Sequence, residues 1–141
     1  MTEIVFDFLG KIGFTHPVHL VFTHVPMGMV LGALIFRLVS FLPKMKVLAK
    51  TAYHCVILGL IGTIPAILAG YLDWQHRFGG ELDVLIILKM LLTLVLIGLL
   101  LSVAIKDDPE NRRLNKITGF YLLAGLVVLG MGYIGGDLLL R

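Results

Sequence analysis

Three observations predict an all-α integral membrane protein, a four-helix bundle preceded by a short interfacial helix. Four runs, about 18–42, 47–72, 82–105 and 117–136, approach or exceed the roughly 20 apolar residues that a bilayer-crossing helix needs. Apolar residues make up 58% of the chain against 15% charged, and the mean hydropathy is +0.97. The runs are continuous and do not alternate polar with apolar residues as the strands of a membrane barrel do. A helix satisfies its own backbone hydrogen bonds in lipid, which leaves it as the spanning element. At 141 residues the chain reads as one domain, 1–141.

Charge orients the bundle. Lys44, Lys46 and Lys50 sit in or beside the first connection, with Arg37 just inside the preceding helix. Lys106, Arg112, Arg113 and Lys116 sit around the third, whereas the opposite side offers Lys11, Arg77 and Arg141. This asymmetry is the positive-inside pattern, so connections one and three are expected in the cytoplasm and both termini outside. The excess positive charge then reports topology and lipid contact, not a groove for nucleic acid.

Residues 2–14, TEIVFDFLGKIGF, space Ile4, Val5, Phe8, Leu9 and Ile12 at helical intervals among charges. That pattern suits a helix lying in the membrane interface. Acidic residues come first and no cleavage site follows a hydrophobic core, so the stretch does not read as a signal peptide. His16-Pro17 then starts the first span, with Pro17 where a missing N–H costs nothing. Pro43 stops that span, and the short connection makes spans one and two antiparallel neighbours. Span two closes on GYLDWQHRFGG, where Tyr71 and Trp74 suit the interface and Gly79-Gly80 break the helix. Its Cys55 reads as a small buried hydrophobe, and a single cysteine allows no internal disulfide. The connection KDDPENRRLNK interleaves acids and bases as a solvated turn does. Small residues recur at packing intervals in every span, including Gly28 and Gly32, Gly62, Ala66 and Gly70, Gly98 and Ser102, and Gly132 and Gly136. They imply close helix approach, or room for a flat ligand or partner helix.

The candidate functional residues converge at the outer end. Counting about 1.5 Å per residue from Leu42 puts His24 near the outer boundary, with His19 and His16 further out. Lys89 enters span three at a depth similar to that of His24, Asp73 and His76 close span two, and Tyr133 and Asp137 close span four. Ionisable groups in a membrane usually face the bundle interior and are paired. Lys89 has the alternative of snorkelling outward to Asp83 or a headgroup. His54 lies near the other side, level with Arg37, and has no second histidine there for a bis-histidine haem. A haem b is expected to take one of His16, His19 and His24 together with His76 across the antiparallel pair, and a divalent metal to take His19, His24 and Asp73. On an ideal helix His19 and His24 are about 140° apart. Bringing them together requires Pro26 to loosen the turn above it. Metalloprotease, nucleophile-elbow, P-loop and dinucleotide signatures are absent, so the chain is not read as an enzyme by itself.

HLVFTHVPMGMVLGALIF, IPAILAGYLDW and GMGYIGGDLLL together resemble a family of small bacterial four-helix membrane proteins of unknown function, domain of unknown function 2231. The resemblance covers nearly the whole chain in order and spacing. By position, His19 and His24 match the family's paired histidines, Asp73 its helix-ending acid and Gly135-Gly136 its glycine pair. Leu20 stands where relatives have a proline, and Lys89 where they often have a histidine. Some relatives are joined to Rieske or cytochrome c domains, which implies electron transfer near the outer face and a bacterial inner (cytoplasmic) membrane location. The expected function is therefore redox-associated: holding haem b, or presenting a quinone or metal site to a periplasmic redox protein. Metal binding or transport is one rival. A structural subunit or anchor of a larger membrane complex, or a homo-oligomer, is the other.

Overall fold

A computed structural model describes residues 2–11, 18–110 and 116–140. These form α1 (Thr2–Lys11), α2 (Val18–Val39), α3 (Leu48–Arg77), α4 (Val84–Lys106) and α5 (Lys116–Leu140), with no strand among the described residues. The four long helices are each long and apolar enough to cross a membrane. The His16-Pro17 start signal lies outside the described residues. α1 leaves Ile4 and Phe8 exposed beside Asp7 and Lys11.

α2 ends at Val39, before Pro43, and tight turns lead through Lys44, whose φ of 69° is left-handed, into α3. α3 runs five residues past the end its hydropathy predicts, because Asp73, Trp74, Gln75, His76 and Arg77 continue the helix. It ends where Gly79 and Gly80 take φ values of 57° and 78°, open to glycine and costly for most other residues. At 30 residues it spans about 45 Å and outreaches a hydrocarbon core of about 30 Å. Trp74 Nε1–H donates to the Glu81 carbonyl at 2.8 Å and pins the α3–α4 connection.

α2 packs most extensively on α3, and the contacts α3–α4, α4–α5 and α5–α2 close the four helices into a ring. Inside it Val30, Ala33, Ala52, Val56, Leu96, Leu100, Val103, Ala124 and Val128 form one buried apolar band. Glycines set the approach of the helices. A Cβ at Gly62 would lie 3.3 Å from Pro26 Cδ, one at Gly125 2.6 Å from Leu34 Cδ2, and one at Gly132 3.2 Å from Met27 Cε. The inward glycines therefore admit the chain's own side chains. Those with open space beside them, Gly28, Gly98, Gly119, Gly130 and Gly136, leave the partner-helix reading available.

Candidate functional site

The apolar band separates two polar clusters, one at each end of the bundle. At the first, Asp73 of α3 reaches the start of α2. Its Oδ2 accepts the backbone N–H of His19 at 2.8 Å. The first N–H groups of a helix have no partner within it, and its N-terminus carries partial positive charge. A carboxylate borrowed from a neighbouring helix answers both needs, and Asp73 is accordingly only 6% exposed. The His19 ring lies against α3, with Nδ1 2.9 Å from the Ala66 carbonyl. Nδ1 therefore carries the proton it donates, and Nε2 keeps its lone pair. The ring fits because residue 70 is glycine: a Cβ there would stand 2.9 Å from Nδ1.

Lys89 of α4 turns inward, contrary to the snorkelling alternative. Its Nζ lies 3.5 Å from where a Cβ at Gly135 of α5 would be. The Asp73 carboxylate acts electrostatically on both His19 and Lys89. One group from each of α2, α3 and α4, with a glycine notch from α5, thus forms the half-buried core of the outer layer read from the sequence.

The other described residues of that layer lie at the surface. His24, His76, Tyr133 and Asp137 are exposed. α2 runs unbroken through Pro26, so His19 faces α3 while His24 stays on the outside, its Nδ1 bonded to the Leu20 carbonyl. Pro26 packs on Gly62 and does not swing the two rings together. Among the described residues no group of three or more His, Cys, Asp or Glu side chains converges for a metal. The notch at Gly70 is filled by the His19 ring itself. His16 lies outside the described residues. A shallow cleft of about 570 Å³ lined by Phe78, Glu81, Leu82, Asp83 and Ile86 opens nearby, with Ile86 one turn before Lys89.

The cluster at the opposite end was not legible as a site. Arg37, read from the sequence as one of the topogenic charges, is 0% exposed, and its Nη2 lies 3.3 Å from Asp107 Oδ1. Nη1 donates to Asp107 Oδ2 at 3.4 Å, and Tyr121 Oη–H donates to the same oxygen at 2.8 Å. The guanidinium carbon stands 5.4 Å from the Tyr121 ring centre and 5.8 Å from that of Phe41. Tyr53 of α3 donates to the Ala104 carbonyl of α4 at 2.9 Å. Asp107 opens the connection read as a solvated turn, yet its side chain is 2% exposed. An arginine inside the end of an apolar span was the available signal, because burial there demands a counter-charge. His54 is exposed, edge-on to Tyr53 at 6.3 Å.

Fold and site together define a multi-pass α-helical membrane protein with a polar cluster at each end of a closed apolar core. The chain belongs to DUF2231, a family of predicted membrane proteins, which it matches over residues 15–138. Neither the curated proteins nor the solved structures give a match.

Proposed function

We propose that this is a redox-associated subunit of the bacterial cytoplasmic membrane, with both termini periplasmic, whose His19 end receives a quinone headgroup. The observation that carries this reading is the pairing of an anchored histidine with an inward-turned lysine in a half-buried layer. Ala66 holds His19 by Nδ1, so Nε2 is the nitrogen left for a ligand, and Lys89 brings an ammonium to the same layer. Lys89 would donate to a quinone carbonyl, and the hydroxyl of the quinol would donate to His19 Nε2. On two-electron oxidation that nitrogen would take one proton and water at the open cleft the other, with the Asp73 carboxylate partly offsetting the positive charge of Lys89, while a periplasmic redox protein takes both electrons. The cleft lined by Phe78, Glu81, Leu82, Asp83 and Ile86 would supply the approach, with apolar walls for the quinone ring between two carboxylates.

The ammonium of Lys89 weighs against a divalent cation at His19 and Asp73. The packed band of Val30, Val56, Leu100 and Val128 weighs against a path for ions along the bundle axis.

The test is titration of the protein in lipid nanodiscs with a short-chain benzoquinone. Saturable binding is expected, weakened at least about tenfold by Lys89→Met and by His19→Phe, since each removes a charged or buried polar contact. Non-saturable uptake equal in all three proteins would overturn the reading. A visible Soret band lost in His19→Phe would replace the quinone by haem b.

A further inference from the structure

The geometry points to the outward flank of the α2–α5 seam as a two-fold interface with a second copy of this chain. In that interface His24 of each copy accepts a hydrogen bond from Tyr133 of the other. Both residues lie within the membrane-spanning segments, His24 exposed and Tyr133 82% exposed. His24 gives its Nδ1–H to the Leu20 carbonyl, so its Nε2 is a bare acceptor facing outward. Tyr133 is a donor whose hydroxyl makes no hydrogen bond among the described residues. An acceptor and a donor on one apolar exterior are costly against hydrocarbon and complementary to each other.

Their placement makes the face self-complementary. Met27 meets Gly132, and two turns deeper Leu34 meets Gly125, which fixes the antiparallel register of α2 and α5. In that register His24 and Tyr133 differ in depth by two residues, about 3 Å. His24 lies about 160° around α2 from Pro26, which faces α3. Tyr133 lies about 160° around α5 from Gly135, which faces α4. Both therefore flank the seam on its outward side, one on each helix. A two-fold axis along the membrane normal sets α2 of one copy against α5 of the other. It then makes the same hydrogen bond twice. Gly28 and Gly136, on the same flank with open space where a Cβ would be, let the backbones approach. The exterior of α4, by contrast, is dominated by Leu88, Leu91, Leu94, Val95, Leu101 and Ile105, which suit lipid.

Association in vesicles of phosphatidylethanolamine and phosphatidylglycerol, read by energy transfer between labelled copies, tests the proposal. Dimers are expected, and Tyr133→Phe or His24→Phe should each raise the dissociation constant by roughly tenfold, as loss of two intramembrane hydrogen bonds implies. The double variant should be little worse, because each change removes the same bonds. In a Cys55→Ser background, the His24→Cys and Tyr133→Cys proteins should cross-link to each other when mixed, whereas Leu94→Cys should not. A monomer at all densities, additive effects of the two phenylalanines, or association only with a different protein would overturn the proposal.

Discussion

The two ends of the bundle solve the same problem differently. Each brings ionisable groups from several helices to the edge of an apolar band. At the Arg37 end the charges are sealed: the Asp107 carboxylate takes both the guanidinium and the Tyr121 phenol, and the guanidinium lies against the Tyr121 and Phe41 rings. At the His19 end the carboxylate is spent on a helix start, the imidazole is tied by one nitrogen, and His19 and Lys89 remain only half-buried. The lesson is that a membrane bundle can use one polar layer as a staple and keep the other adaptable. Ion pairing with full burial marks the staple.

Arg37→Ala would break that comparison most sharply. It strands Asp107 in a dry site and should cost about 3–5 kcal/mol of stability, measured by unfolding in mixed micelles. Replacing both partners, Arg37→Met with Asp107→Leu, should recover much of the loss, since no charge is left behind. Tyr121→Phe keeps the ring over Arg37 but removes the 2.8 Å bond to Asp107. It should cost about 1.5–3 kcal/mol by the same measurement.

At the other end, Gly70→Val puts carbon where the His19 ring lies. Overpacking of that kind should cost about 1–3 kcal/mol, and the displaced ring should weaken quinone binding as His19→Phe does. Stability lost without any change in binding would make this end a staple as well. The smallest effect is expected at the surface. Lys50 and Glu110 are 3.1 Å apart, but their side chains are 58% and 76% exposed. Lys50→Ala should therefore shift stability by less than about 0.5 kcal/mol.

Much of this was written locally in the chain. Continuous apolar runs forecast the four spans, and Gly79-Gly80 marked the end of α3, because hydropathy and backbone freedom belong to the residues themselves. The depths of His19, Asp73 and Lys89 followed from counting along straight helices. Their azimuths did not. Helix rotation depends on which glycine admits which side chain, so Gly70 turns His19 inward while His24, in the same motif, stays outside. The Arg37–Asp107 pair spans 70 positions of sequence, and from sequence each partner resembled an ordinary boundary charge.

The sequence by itself determined an all-α membrane bundle and the end at which its histidines gather, since transfer from water to lipid acts on each segment separately. Only the tertiary structure decided which polar groups meet. Pairing across helices is fixed by rotation and close approach, to which all four helices contribute at once.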